Sequence, residues 1–398
     1  NLGIADDTLV YYIIGDNGAS AEGSFNGCFN EMSYFNGLQS LETAEYLTER
    51  IDKLGGPESY NHFAVGWAHA LNTPYQWTKQ VASHFGGTRN GTIVHWPKGI
   101  QAKGELRTHF AHVIDVAPTI LEAAGIPEPV SVDGIQQDPI DGVSMLKTFN
   151  DAKAPEAHET QYFEVMGNRA IYHKGWTAVT KHYTPWIPNV KPALDDDVWE
   201  LYDTTTDWAQ SKDLSKEMPD KLRELQRLWI IEATRNKVLP IDDRMFEKIN
   251  PDTAGRPTLV KGKTQLLAGG MSHLGENCVL NIKNKSHSVT AAIVVPQGGA
   301  EGVIIAQGAD IGGWSLYAKG GKLKYCYNWG GFKHFMIEGA SVMAPGEHQV
   351  RMEFAYAGGG LGKGGKVTLY VDGQKDGEGE VGATLAMIFS ADDGLDVG

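Results

Sequence analysis

Apolar positions fall into three textures along the chain. Residues 8–14 form an unbroken apolar run rich in Val, Ile and Tyr and closed by Gly15. The run is too short for a typical helix and predicts a buried core strand of an α/β sheet. A second strand is expected at 92–96, ending at Pro97-Lys98-Gly99. Residues 112–124 read as a helix: Asp115 caps its main part, Pro118 fits the first turn, Val116, Ile120, Leu121 and Ala124 share one face, and Gly125 stops it. The stretch 126–142 is rich in Pro, Asp and Gly and reads as an irregular connection.

The second texture is a short antiparallel meander. Residues 162–166, 170–173 and 176–180 alternate as strands do, with turns expected at Gly167-Asn168 and Lys174-Gly175. A helix over 221–234 follows, with Leu222, Leu225, Leu228, Trp229 and Ile231 forming a stripe that packs on that sheet. After Asp252 the pattern changes to short alternating runs between glycine clusters. Strands are expected at 288–295, 303–307, 314–318, 322–327, 348–354 and 366–372, with 385–389 a further candidate and 358–365 a flexible loop. The expected organisation is therefore an α/β region at 1–145, a small sheet-plus-helix subdomain at 146–250 and an all-β sandwich at 260–398.

Composition narrows the function classes. At 398 residues the chain has material for two or three domains. A formal net charge of -14 opposes general nucleic-acid or anionic-membrane binding, although local basic pockets remain open. No run approaches the roughly 18 apolar residues that span a bilayer, and the start carries no signal-peptide pattern. Because the chain opens almost inside a strand, further sequence is expected upstream of Asn1, and the β domain is expected to be truncated. Cys28, Cys278 and Cys326 are too few and scattered for a disulfide framework, and none sits in a CxxC pattern.

Three places carry candidate chemistry. Asp16 and Asn17, at the end of the first strand, offer an anionic and a neutral oxygen suited to Ca²⁺ or Mg²⁺; Asp-Asn-Gly is equally ordinary turn chemistry. Lys79, His84 and Arg89 surround the Gly86-Gly87 pair, where glycines would let backbone N–H groups approach a tetrahedral oxyanion. A solvated loop explains the same residues. His112 and Asp115 stand at i, i+3 and could imitate an acid–base pair, but Asp115 is better read as the cap; His109 has no carboxylate at metal spacing. Trp67, Trp77 and Trp96 suit either a pocket wall or a core. The absence of a G-x-S-x-G elbow, a P-loop and a dinucleotide fingerprint leaves a metal-assisted hydrolase.

Taken in order, Ile13-Ile14-Gly15-Asp16-Asn17-Gly18, the segment 79–90, Ile93-Val94-His95-Trp96-Pro97-Lys98-Gly99-Ile100 and His112-Val113-Ile114-Asp115-Val116-Ala117-Pro118-Thr119 resemble a type I sulfatase. Glu200-Leu201-Tyr202-Asp203, Asp207 and Asp213-Leu214 extend the resemblance into that family's small C-terminal subdomain, to about residue 245. The wording of 83–90 is most similar to the large bacterial arylsulfatases. The resemblance implies an alkaline-phosphatase-like α/β fold, Ca²⁺ held by Asp16 and Asn17 beside a sulfate ester, and Lys79 against the sulfate with His84 and Arg89 as neighbours. Lys79 stands one residue further from the glycines than in many members. The family's formylglycine nucleophile comes from a C-x-[PA]-x-R motif, and none is present here; Cys28 is followed by Phe29-Asn30-Glu31. The chain accordingly reads as the C-terminal part of a larger, exported sulfatase acting on a sulfated small molecule or glycan, inactive alone. Trp314-Ser315-Leu316-Tyr317 and Val367-Thr368-Leu369-Tyr370-Val371-Asp372-Gly373 resemble a laminin-G or concanavalin-type sandwich. Two other readings stand beside this one: a phosphatase or phosphonate hydrolase of the same superfamily, and a carbohydrate-binding protein acting through 260–398.

Overall fold

A computed structural model describes residues 2–187, 190 and 192–398, with the side chain of Phe246 left aside. The chain forms two compact units, each built from two segments: Asn1–Ala21 with Val65–Asp243, and Glu22–Ala64 with Arg244–Gly398. Residues 22–64 lie inside the expected 1–145 region, yet their contacts place them in the second unit.

In the first unit, β1 (Val10–Ile13) pairs antiparallel with β2 (Thr92–His95), Val10 opposite His95 and Ile13 opposite Thr92. The sequence called for a buried core strand, and here the structure differs. Tyr12 is 63% exposed, Ile14 64% and Ile93 59%. The two strands form a sheet of their own, in which Tyr11 packs against the Phe149 ring while these three side chains stay exposed. In the irregular connection, β3 (Ser131–Val132) and β4 (Ile135–Gln136) make a minimal hairpin.

The meander is realised as an antiparallel sheet of β5 (Thr160–Val165), β6 (Asn168–His173), β7 (Trp176–Thr180) and a fourth strand, β8 (Glu200–Asp203). Its first turn falls at Met166-Gly167, one residue earlier than expected, and the second at Lys174-Gly175; both residues of each pair have positive φ. That is the backbone a two-residue turn needs to match strand twist. The helix Pro219–Arg235 buries Leu225, Trp229 and Ala233 against Ile171, Ala178 and Leu201. The four-residue spacing keeps those three on one face; Ile231, expected in the stripe, points outward.

The expected helix at 112–124 divides into a 3-10 turn, Val113–Asp115, and an α-helix, Val116–Ala124, stopped by Gly125 at φ 67°. Asp115 makes no side-chain cap to the α-helix. Its carboxylate reaches back to His112 N–H at 2.7 Å and out to Val143 N–H at 2.8 Å. This helix is anchored by polar contacts, with Thr119 buried and Ile120 exposed.

The second unit is a β-sandwich. Its strands are β9 (His287–Val295), β10 (Gly302–Ala309), β11 (Gly312–Lys319), β12 (Lys322–Trp329), β13 (Lys333–Val342), β14 (Gly346–Tyr356), β15 (Lys363–Val371), β16 (Gln374–Ala383) and β17 (Leu395–Val397). One sheet runs β13-β12-β11-β10-β17 and the other β16-β15-β14-β9. Alternate residues such as Leu316, Leu323, Tyr325, Met352, Val367 and Leu369 fill the core between them. Three strands had no clear signal. Among them, β16 carries Lys375, Asp376, Glu378 and Glu380 between glycines, a poor strand former by composition. Residues 385–389 are irregular instead of a strand, yet Leu385 and Phe389 are buried in the same core. The expected loop at 358–365 is shorter, because β15 already begins at Lys363.

Residues 22–64 join this unit through short helices and amides. Asn30 Nδ2 donates to Ile311 O and Gly330 O at 2.9 Å each, and Asn36 Nδ2 to Ile388 O at 2.9 Å. The fold class is thus an α/β region with a small antiparallel subdomain, together with a β-sandwich. Among the described residues no helix is long and apolar enough to cross a membrane.

Candidate functional site

Three stretches of the first unit meet at the end of β1. Ile14 N–H donates to Gly91 O at 3.1 Å, extending the ladder by one rung before Gly15-Asp16-Asn17-Gly18 turns away. Gly18 N–H then donates to Gly87 O at 3.1 Å, Ala19 N–H to Asn72 Oδ1 at 2.9 Å, and Lys79 N–H to Ala19 O at 3.1 Å. Asn72 closes the joint by donating from Nδ2 to Trp77 O and Gly86 O, both at 3.0 Å. The structure therefore brings the Asp16-Asn17 turn and the Lys79 segment together. Nothing in the local sequence pattern singled out Asn72, whose role lies in linking segments distant along the chain.

Glycine is required at this joint for contact. A Cβ on Gly18 would lie 1.6 Å from Gly86 O, and one on Gly86 would lie 2.2 Å from Gln76 O and Trp77 O. The sequence reading had Gly86 and Gly87 exposing N–H groups to an oxyanion. Here Gly86 N–H donates to Gln76 O and Gly87 N–H to His84 O, so these donors are used inside the protein. The glycines serve the close approach of two backbones.

Asp16 is exposed and Asn17 half-buried, and Asn17 Nδ2 donates to Asp16 Oδ1 at 2.7 Å. A carboxylate and an amide side by side are donor types that suit a hard cation, but such an ion takes six to eight oxygens, more than these two side chains offer. Lys79 is half-buried, and its neighbours Trp77 and Gln80 both have left-handed backbones, at φ 68° and 75°. Such conformations cost about 1–3 kcal/mol each and persist only where surroundings impose them. Gln80 O accepts from Asn168 Nδ2 at 3.1 Å, which ties the Lys79 loop to the start of β6.

His84 and Arg89, expected beside the sulfate, are turned to other partners. His84 is buried, with Ser83 Oγ 2.9 Å from Nδ1 and Glu200 Oε2 3.2 Å from Nε2. His84 in turn holds the Glu200 carboxyl below its ordinary range, helped by Tyr202. Arg89 donates to Trp208 O and lies over the rings of Phe85, Tyr75 and Trp208. Both side chains tie the 84–89 turn to residues 200–208. Gln210, also missed from sequence, accepts from Phe85 N–H and donates to Thr177. On the open side, Lys181 sits 4.8 Å over the Trp77 ring, and burial lowers its pKa.

Asp115 is a structural clamp. Besides its two backbone donors it meets His158 Nδ1 at 2.8 Å, and both side chains are buried. Burial pushes the Asp115 carboxyl up, but the hydrogen bonds from His158, His112 and Val143 more than offset it and leave it below the usual range. Burial pulls His158 down, and Asp115 more than restores it, so its pKa is raised. Trp96 lies over the Gly99 turn, Trp77 beside Trp186 and His84, and Trp67 is exposed. Cys28 is a buried thiol whose pKa is pushed up to about 12, first by burial and then by Glu42.

Comparison with known proteins places these segments. Residues 1–126 match the family model described as Sulfatase, and residues 77–228 the model described as N-sulphoglucosamine sulphohydrolase, C-terminal. An uncharacterised sulfatase of Schizosaccharomyces pombe is 29% identical over 252 residues, covering 62% of this chain and 42% of that protein. The chain thus spans about two fifths of the curated relative it matches. Among solved structures, that of Ps i-CgsB is 22% identical with a TM-score of 0.34, over 46% of this chain and 37% of that one. A Bacteroides thetaiotaomicron structure from work on glycosaminoglycan metabolism is 20% identical with a TM-score of 0.33, over 50% and 43%. The two family matches overlap and run unbroken through the Asp16-Asn17 turn, the Lys79 segment and the β5–β8 sheet, and through them residues 1–228 are recognised as type I sulfatase sequence.

Proposed function

We propose that the intact protein containing this chain hydrolyses sulfate esters, as an arylsulfatase-like enzyme, and that this chain supplies part of its active site. The observation that carries the reading is the joint at the end of β1, where the Lys79 and Ala19 backbones bond directly and bring the Asp16-Asn17 turn and the lysine into one neighbourhood. Asp16 and Asn17 would hold a divalent cation, Ca²⁺ or Mg²⁺, by oxygen donors. When bound, such an ion neutralises charge on ester oxygens. Lys79 would hold the non-bridging oxygens of the ester, and its loop is preset by the left-handed residues on either side, which reduces reorganisation during the reaction. Ser83, His84 and Glu200 would act behind it by fixing the turn. The nucleophile, a formylglycine, would come from sequence outside this chain, consistent with the absence of C-x-[PA]-x-R here and with the two-fifths coverage of the relative. The exposed apolar β1–β2 pair also suits a chain completed by further structure.

The test joins this chain to a sulfatase segment bearing that cysteine motif and follows 4-nitrophenyl sulfate hydrolysis. Asp16→Ala and Lys79→Ala are each expected to lower kcat/KM by about 10²–10³ with the fold intact. Full activity in either variant would remove that residue from the site.

A further inference from the structure

The second unit gathers a separate set of donors. Cys28 and His62 face one another in an antiparallel bridge, and Asn30 and Tyr60 in a parallel one. Four backbone bonds lock this ladder, among them Glu31 N–H to Tyr60 O at 2.9 Å and Cys28 N–H to His62 O at 3.0 Å. Glu31 therefore starts the helix Glu31–Phe35 directly beside the His62 strand. Glu22 is delivered by the turn at 23–27, which packs too closely for a side chain: a Cβ on Gly23 would lie 2.4 Å from Phe63 O and 2.8 Å from His62 O.

One ligand atom each from Glu22, Glu31 and His62 lies within 4.8 Å of the other two. Glu22 and Glu31 are only 5% and 6% exposed, and His62 Nε2 is ion-paired with Glu31. Two carboxylates this close and this buried repel strongly unless a cation or a proton is shared between them. An imidazole supplies positive charge only when protonated, whereas its neutral form is a good metal ligand.

We propose that Glu22, Glu31 and His62 form a divalent-metal site for an ion that accepts mixed oxygen and nitrogen donors, of the Zn²⁺ or Mn²⁺ class. Two carboxylates with one imidazole suit these ions better than Ca²⁺, which prefers an all-oxygen shell. The ion would staple the 22–31 turn to the strand at 60–62. This site does not depend on the sulfatase reading, because it shares no residue with Asp16, Asn17 or Lys79.

The test uses the full chain, stripped with chelator and loaded with Zn²⁺ or Mn²⁺ alone. One bound ion per chain after gel filtration and a rise of several degrees in Tm are expected. Glu31→Gln and His62→Ala should each lose the bound ion and the rise, while Asp52→Asn, at an exposed carboxylate of the same segment, keeps both. Should Glu31→Gln fail to fold, the milder His62→Asn variant and the visible absorption of Co²⁺-loaded wild type, displaced by Zn²⁺, give the same answer. No retained ion with either metal, or unchanged binding in the His62 variants, would overturn the proposal.

Discussion

Two sheets of the first unit, β1–β2 and β5–β8, are made of the same kinds of residues and treat them in opposite ways. In the β5–β8 sheet, Ile171, Ala178 and Leu201 are sealed beneath the helix Pro219–Arg235. In the β1–β2 pair, Val10, Tyr12, Ile13 and Ile93 face outward. A β-branched run therefore predicts extended backbone, while burial depends on whether the chain supplies a layer to cover it. The helix at 219–235 does so for the first sheet, each large side chain contributing about 1.5–3 kcal/mol by leaving water. The β1–β2 pair has its ladder, the joint through Asn72 and, on one face, the packing of Tyr11 against the Phe149 ring.

The largest test of this contrast is Trp229→Ala. Trp229 is 1% exposed, donates from Nε1 to Phe163 O, and packs on both Leu201 and Ile171 of the sheet. Its loss is expected to cost about 3–5 kcal/mol in urea unfolding. A loss under about 1 kcal/mol would mean the helix does not hold the sheet.

Next comes the clamp between Asp115, which follows β2, and His158, which precedes β5. His158→Ala leaves a buried carboxylate without its ionic partner and is expected to cost about 3 kcal/mol. Its pH dependence is specific. The depressed Asp115 pKa gives stability that is present above the ordinary carboxylate range and lost as pH falls through the folded value. The raised His158 pKa gives stability that is present below about 6.5 and lost as pH rises through its folded value. Wild type minus variant should therefore be greatest between about pH 4 and 6.5; a flat difference would assign the pair to packing alone.

The smallest effect is expected at Tyr12→Thr. On a strand with a wet outer face it should change stability by no more than about 0.5 kcal/mol in this chain. A loss above about 2 kcal/mol would show that this face is covered in solution, and the contrast between the sheets would disappear.

Much of the fold was legible because it rests on periodicity. The helix at 219–235, the strands β5–β7 and six strands of the sandwich follow alternation or three-to-four spacing closely enough to be read directly. What escaped depends on contacts between distant residues. Strand β16 is recruited by its neighbours despite its charges and glycines, and residues 385–389 are buried by an irregular path. At the candidate site, motif order pointed to the Asp16-Asn17 turn and the Lys79 loop, and the two segments meet through the Lys79 and Ala19 backbones. The duties of His84 and Arg89 could not be read from order, because their partners, Glu200 and Trp208, lie more than a hundred residues away. Asn72 and Gln210 carried no local signal at all.

The amides of Asn30 and Asn36 have a consequence for how the protein is made. Asn30 finds its acceptor at Gly330, 300 residues later, and Asn36 finds Ile388, 352 residues later. At about 5–20 residues per second of synthesis, Asn30 waits on the order of 15–60 seconds before its partner strand leaves the ribosome. Throughout that interval residues 22–64 are without the later residues that complete their unit. The second unit is consequently the last to close, and its quality depends on a segment translated long before it. Cutting the chain near residue 244 to isolate the sandwich would remove the older segment of its own structure, and a chaperone that shelters that early segment would act on the final β fold without touching it.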